Sequence, residues 1–324
     1  MTHLFIINPT AGKKSRADDI RAQIDALKLQ NVKIALTRSA DEAGEVIRSA
    51  CRSGEPLRIY ACGGDGTLRA VLEAAYPFPQ VEVGVLPTGS GNDFIRSFPQ
   101  YSLADFRDVG RLTQGASIPL DLLRVGERIS ANIVSAGYDS AVAENMVAFK
   151  RLPFVSGTLA YKISLIYCLL HKRTHRFTLT ADGLPVEDPD DRYTFALAAN
   201  GRFYGGGFEA APYADLSDEW IDFIRIPRVS IPTFFKFIRI FKRGEHLEKM
   251  PIARFSHCRR LKISADRPIS LNLDGEILPI RDPEIEILPA AVRFILPAER
   301  VEAAPAEKAG RPQRETPAET GAAL

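Results

Sequence analysis

Strand-like and helix-like stretches alternate through the first third of the chain, and that rhythm limits the fold more than any other feature. The apolar runs Leu4–Ile7, Val32–Leu36, Leu57–Cys62 and Val83–Leu86 predict strands. Between them, the apolar spacing of Ile20–Leu27, Asp41–Cys51 and Thr67–Ala75 predicts helices, the second opened by Ser39 as an N-cap. A β-α-β-α order of this kind buries both faces of a parallel sheet under helices. The loops leaving the carboxyl ends of its strands then share one edge, where such sheets bind ligands.

Beyond about residue 120 the rhythm changes. Short β-rich stretches follow one another at Leu120–Val125, Ala131–Ser135, Phe177–Thr180, Thr194–Ala199, Ile221–Ile226, Leu261–Ser264, Ile269–Leu273 and Ile285–Leu288, with turn residues between them. That pattern predicts an antiparallel sandwich or barrel. Two helical segments interrupt it, near Ser156–His171 and Thr233–Arg243. The 324 residues exceed the ~250–300 at which a single core stops growing, so two domains are expected. The segment Val301–Leu324, rich in Ala, Pro and Glu, is expected to be a disordered tail.

Gly63-Gly64-Asp65-Gly66-Thr67 lies between the third strand and a helix. Glycines remove Cβ atoms, so backbone N–H groups can converge on an anion, and the helix start adds partial positive charge. An aspartate repels phosphate in such a loop but suits a Mg²⁺ lying between them. The loop lacks the Gly-Lys-Ser/Thr of a Walker sequence and the GxGxxG spacing of a dinucleotide fold. Taken alone, it is also read as a glycine turn capped by Asp65. A second glycine-rich loop, Leu86-Pro87-Thr88-Gly89-Ser90-Gly91-Asn92-Asp93-Phe94, follows the next strand and adds a hydroxyl, an amide and a carboxylate on the same edge. Asn8-Pro9-Thr10-Ala11-Gly12-Lys13-Lys14 leaves the first strand there as well.

In this order the three loops resemble the diacylglycerol kinase catalytic family, and the bacterial soluble lipid kinases within it. Asn200-Gly201, Gly205-Gly206-Gly207, Pro212-Tyr213-Ala214 and Asp274-Gly275-Glu276 continue the resemblance, which spans about residues 3–297. It implies an NAD kinase/diacylglycerol kinase-like fold: an ATP-binding α/β domain over residues 1–122, completed by 289–300, and a β-rich antiparallel acceptor domain over 123–288. It implies an ATP-dependent lipid kinase acting with Mg²⁺. The matching positions imply nucleotide contacts at Asn8, Thr37, Gly63, Gly64, Asp65, Gly66, Thr67, Leu68, Arg69, Ser90, Asn92 and Asp93. Without the resemblance, Thr37 reads as a strand-end hydroxyl.

Asp274-Gly275 by itself reads as a two-residue hairpin turn. The resemblance places it on the ATP cleft, with Glu276 as general base and Asp274 and Asp65 as further catalytic carboxylates. Phosphoryl transfer is loose, so an ordinary carboxylate suffices as base if it is well positioned. The acidic run Asp215–Asp222 reads as a solvated loop. The resemblance makes it a structural Mg²⁺ site, held by the Asp218 carboxylate and the backbone oxygens of Asp215 and Trp220. The family's usual Asp-Gly is here Asp218-Glu219. Asp121 matches another family aspartate and otherwise reads as a strand-edge acid. Relatives commonly follow Gly-Gly-Asp-Gly-Thr-x with Asn-Glu, whereas this chain has Arg69-Ala70; Arg69 is read either as a phosphate contact or as an exposed helical residue.

A lipid acceptor demands access to a membrane surface. Phe234, Phe237, Ile238 and Phe241 share one helical face opposite Lys236, Arg239 and Arg243, which reads either as an interfacial helix or as an aromatic stripe packed on the β-domain. Phe149–Phe154 has the same mixed character, and Lys13, Lys14 and Arg16 read as an anion site or a solvated loop. No apolar run approaches the ~20 residues of a spanning helix. A formal charge of +2 points to no nucleic-acid partner, and the four cysteines have no metal or CxxC spacing. The chain is expected in the cytoplasm with reduced cysteines and transient peripheral membrane association, as a monomer or a homodimer. An NAD kinase, a sphingoid-base kinase and a non-catalytic nucleotide or lipid sensor are the competing readings.

Overall fold

The computed structural model describes residues 1–12, 16–149, 157–171 and 174–299. Lys13, Lys14, most of Phe149–Phe154 and the tail from Val301 lie outside the described residues. The first half runs β1 (Thr2–Ile7), α1 (Ala17–Leu27), β2 (Val32–Leu36), α2 (Ala40–Cys51), β3 (Leu57–Gly63), α3 (Asp65–Ala75) and β4 (Val81–Pro87). After a 3-10 turn over Phe94–Ser97 come α4 (Leu103–Phe106) and α5 (Val109–Gln114). β1, β3 and β4 are buried along nearly their whole length, as strands covered on both faces must be. Their order is β2-β1-β3-β4, all parallel. The oxygen of Ser39 accepts the Glu42 N–H at the start of α2, the cap expected from sequence.

Among the described residues, the strands of the rest of the chain pair antiparallel, except where the end of the last one meets β4. This part comprises β5 (Ser117–Val125), β6 (Arg128–Ser130), β7 (Ile133–Gly137), α6 (Tyr138–Phe149), α7 (Gly157–His171), β8 (His175–Arg176), β9 (Thr178–Ala181), β10 (Leu184–Pro185), β11 (Arg192–Ala199), β12 (Phe203–Tyr204), β13 (Phe208–Glu209) and β14 (Ile221–Pro227). Then come α8 (Ile231–Phe241), α9 (His246–Lys249), β15 (Arg254–Cys258), β16 (Arg260–Ser264), β17 (Ile269–Leu273), β18 (Glu276–Ile280) and β19 (Glu284–Ile295). One sheet of the sandwich has the order β15-β14-β11-β7-β17-β18. β11 alternates across it. Ala196 and Ala198 face the sandwich core, while Phe195, Leu197 and Ala199 face a second core under α6, α7 and α8.

β19 joins the two halves. Its start pairs antiparallel with β16, and Arg293 and Phe294 pair parallel with β4. β5 pairs antiparallel along it, with an irregularity between Leu288 and Val292 where Ala290 takes a positive φ of 47°. The strand predicted over Ile285–Leu288 continues to Ile295. No element is predicted over Tyr138–Phe149, where α6 forms. α3 begins at Asp65 rather than Thr67, and α8 ends two residues before Arg243. In α8, Phe234, Phe237 and Phe241 are buried against the sheet while Lys236, Arg239 and Arg243 are exposed, so the aromatic stripe packs into the protein.

Candidate active site

The two glycine loops are locked together through their backbones. The N–H groups of Thr88 and Gly89 both donate to the Gly63 carbonyl, at 2.8 and 3.3 Å. A Cβ on Gly89 would lie 2.5 Å from the Cα of Gly64, so only glycines allow this approach. Gly64 is the N-cap of α3 and offers no side-chain cap, which leaves first-turn N–H groups for a ligand. Asn8 ties the first loop in: its amide N–H donates to the Thr67 hydroxyl at 3.4 Å, and its own backbone N–H donates to the Cys62 carbonyl.

A cleft of about 350 Å³ opens over these groups. Asn8, Thr37, Gly64, Gly66, Thr67 and Ser90 line it, six of the positions expected to touch nucleotide. Thr37 is buried there, with its N–H on the Ile7 carbonyl. Gly63, Leu68, Asn92 and Asp93 stand behind the lining. Leu68 is a core residue whose N–H is spent on the Gly64 carbonyl. Asn92 closes the second loop on itself through the Gly89 carbonyl. Sequence reasoning missed Arg38 and Ser39, which also line the cleft; their place one and two residues past Thr37 was the available signal.

Carboxylates gather behind the phosphate loop. Asp65 accepts the Phe94 N–H at 3.2 Å, and burial, reinforced by the charges of Asp93 and Asp274, raises its pKa. Asp93 accepts the Gly206 N–H at 2.7 Å through Oδ2. Its Oδ1 lies 3.3 Å from Arg96 Nε, without hydrogen-bond geometry to any partner. Asp274 and Gly275 both take positive φ, 50° and 97°, so the hairpin turn read from sequence is present. The Asp274 carboxylate clips that turn to the start of β7: Oδ2 accepts from Ala131 N–H at 2.7 Å, and Oδ1 from Asn132 and Ile133 N–H at 3.1 and 3.0 Å. Burial still raises its pKa, because the three bonds only partly offset desolvation.

Glu276 follows on β18. Its Oε2 takes Arg128 Nη2 at 2.6 Å and is also paired with Arg69. Arg69 is therefore no exposed helical residue; its side chain is 7% exposed and reaches both Glu276 and Glu73. Glu73 in turn accepts the Ile129 N–H at 3.2 Å. Neither Glu73 nor Arg128 was singled out in the sequence, since each is an ordinary charged residue until the strands are paired.

Asp121 is more than a strand-edge acid. It is buried, and its two oxygens accept the N–H groups of Glu219 and Ala290, each at 2.7 Å. Glu219 takes a φ of 65°, so the turn normally given to glycine is kept. Asp215 caps its own loop through Ser217, and Asp218 Oδ1 accepts the Trp220 N–H at 3.0 Å. Among the described residues, the Asp218 carboxylate also comes together with Asp222 and His257, their ligand atoms all within 4.8 Å of one another. Asp222 is buried and its pKa is pushed up to about 6 by desolvation, against the opposing charge of His257. All four cysteines are buried, and no disulfide joins them.

A second cavity, of about 640 Å³, lies beside the Asp274 turn and is almost wholly apolar. Tyr138, Val142, Phe195, Phe234 and Leu169 form much of its wall, and Asp139 and Asn272 supply its polar groups. Asp139 bonds to Ser135 and lies 3.5 Å from the Asn272 amide. Asn272 Oδ1 accepts the Gly275 N–H at 2.8 Å, so this cavity touches the same turn that carries Glu276.

Residues 2–125 match the family model described as the diacylglycerol kinase catalytic domain. Residues 132–296 match that of the YegS C-terminal NAD kinase beta sandwich-like domain. A Stenotrophomonas maltophilia protein named "Probable lipid kinase YegS-like" is 29% identical over 301 residues, 89% of this chain and 94% of that one. The diacylglycerol kinase of Bacillus subtilis is 25% identical over 305 residues, 92% of this chain and 97% of that one. Among solved structures, a diacylglycerol kinase from Bacillus anthracis superposes with a TM-score of 0.66 at 17% identity, covering 91% of this chain and 96% of that one. This last likeness is one of fold.

Proposed function

The chain belongs to the diacylglycerol kinase catalytic-domain family and is a lipid kinase, and on that premise we propose that its cleft transfers the γ-phosphate of ATP to a hydroxyl of a membrane lipid. Residues 1–122 with 289–300 form the ATP-binding half in this reading, and 123–288 the acceptor half. The observation that carries it is the reach of α3. Its first turn is the phosphate loop, and one turn later Arg69 contacts Glu276 from the other half. Glu276 then acts as general base, with Asp274 holding the turn and Asn8, Thr37, Thr67 and Ser90 around the nucleotide. Asp65 and Asp93 suit Mg²⁺, since one oxygen of Asp93 lacks a hydrogen-bond partner and Asp65 is disfavoured as an anion beside its neighbours. Bound there, the cation would neutralise charge on the phosphates.

The apolar cavity at the Asp274 turn favours a lipid acceptor over a dinucleotide, which would require many polar partners. Phe235, Ile166 and Leu170, each about 60% exposed or more, stand near its rim on α7 and α8, with Lys236 and Arg239 exposed beside Phe235. This mix suits transient contact with an anionic bilayer from the cytoplasm. No helix among the described residues is long and apolar enough to cross a membrane. Incubating the protein with Mg²⁺, γ-labelled ATP and micelles of total bacterial lipid extract tests the proposal. Label should enter the lipid phase. ATP binding with label passing to neither lipid nor NAD would sink it.

A further inference from the structure

We infer that Arg69 is a positioning residue for Glu276: with Arg128 it holds Oε2 and so leaves Oε1 as the oxygen that takes the acceptor's proton. This rests on the reading of Glu276 as general base. Arg69 and Arg128 both engage Oε2, and among the described residues nothing bonds Oε1. A carboxylate on a hairpin is otherwise free to turn about its side-chain bonds. Two guanidinium groups on one oxygen remove that freedom and fix which oxygen faces the substrate.

The pairing also sets the distance between base and phosphate. Arg69 lies four residues after Asp65 on α3, which places it about 6 Å further along a rigid helix. Glu276 is thereby referenced to the phosphate loop through one helix rather than through the long path of the sandwich. Glu73 completes the arrangement. It pairs with Arg69 Nη1 at 3.1 Å, lies 3.4 Å from Arg128 Nε and accepts the Ile129 N–H, so two cations face two anions. Glu73 thus orients both arginines, and the quartet links α3, β6 and β18.

The chemical step balances as follows. The lipid hydroxyl oxygen forms a bond to the γ-phosphorus, and the bond from that phosphorus to the β,γ-bridging oxygen breaks. ADP leaves with the electron pair, and the hydroxyl proton passes to Glu276 Oε1. Arg69 touches none of the reacting atoms. Its removal should therefore lower the turnover number and spare nucleotide binding.

The test uses the full chain with Mg²⁺, γ-labelled ATP and micelles of total bacterial lipid extract. For R69M, kcat is expected to fall about 10²-fold or more while the KM for ATP stays within about threefold. R69K should recover part of kcat, since it keeps charge but not the two-armed fork. Added guanidinium should raise the rate of R69M and not that of the wild type. R69M/E276Q should be no slower than E276Q, because the two act as a unit. If R69M melts before assay, R69K decides, and a wild-type kcat in it overturns the inference. A rise in KM for ATP with kcat unchanged would make Arg69 a phosphate contact instead. If E276Q keeps wild-type turnover, the reading of Glu276 as base fails; if E276Q is inactive and R69M is not, only the inference about Arg69 fails.

Discussion

Two glycines a few ångströms apart should respond oppositely to the same substitution. A Cβ on Gly66 would meet nothing within 4 Å, and the residue lies in the first turn of α3. Gly66→Ala should therefore be neutral to stabilising, by up to about 1 kcal/mol from backbone entropy alone. That shifts Tm upward by roughly 2–4 °C for a chain of this class. The open space is the cleft where phosphate is placed, since Gly66 lines it. A methyl group there pushes the anion off the N–H groups, and the loss of one such contact, about 1.4 kcal/mol, is tenfold in ATP affinity. Gly89→Ala is the contrast. Its Cβ would lie 2.5 Å from Gly64 Cα, while carbon atoms pack at about 3.5 Å, so the loops must part by about 1 Å. That stretches the Thr88–Gly63 hydrogen bond and should cost about 1–3 kcal/mol. Thermal melts and calorimetric titration with ATP read both variants. Gly66→Ala binding ATP as tightly as the wild type, or Gly89→Ala melting with the wild type, would refute the reasoning.

Three further outcomes are expected. Asp274→Asn replaces an oxygen that accepts the Ala131 or the Asn132 and Ile133 N–H groups with a donor, so denaturant unfolding should show a loss of about 1–3 kcal/mol. His246 is buried between Phe237 and Phe241, and burial lowers its pKa to about 4. Its unfolded pKa is about 6.5, so the unfolded chain binds the extra proton between pH 6.5 and 4. Stability should fall through that window as pH falls, by at most about 3 kcal/mol, and His246→Leu should flatten the loss in melts from pH 7 to pH 4. Ala143→Phe fills part of the apolar cavity and should suppress lipid phosphorylation with ATP affinity intact, as equilibrium binding and label transfer would show. Equal loss of both would argue that the cavity is not the acceptor's.

The α/β half was legible because its strands are short apolar runs and its helices carry their own caps, as Ser39 does for α2. The glycine loop Gly63–Thr67 was legible as a strand-to-helix turn for a related reason: its glycines sit where close backbone approach needs them. The surroundings of Glu276 were not. Arg69, Glu73 and Arg128 acquire meaning only when β6 and β18 are brought beside α3, across separations of 56 and 148 residues. The same holds for the apolar cavity, whose wall comes from α6, α7 and α8 packed on β11. Asp274 was legible as a turn, but its grip on three backbone N–H groups depends on the segment leading into β7.

The two departures from the family pattern are absorbed in different ways, and the difference separates a scar from a function. Glu219 keeps a left-handed turn that costs a non-glycine residue about 1–2 kcal/mol. Its N–H recovers a charge-assisted bond to the buried Asp121, and that bond is indifferent to the side chain. Among the described residues, the Glu219 side chain pairs with the exposed Arg259, a pair worth little. Among the described residues no further partner uses the glutamate, so this turn tolerates the substitution rather than exploiting it. Arg69 is the reverse case. Its side chain is buried, spends its charge on Glu73 and Glu276, and would leave both to Arg128 alone if shortened. Burying a guanidinium is costly unless its geometry is fixed by partners. A chain that keeps such a group one helical turn from Gly63–Thr67 sets the carboxylate proposed as general base directly against the helix that carries the glycine loop.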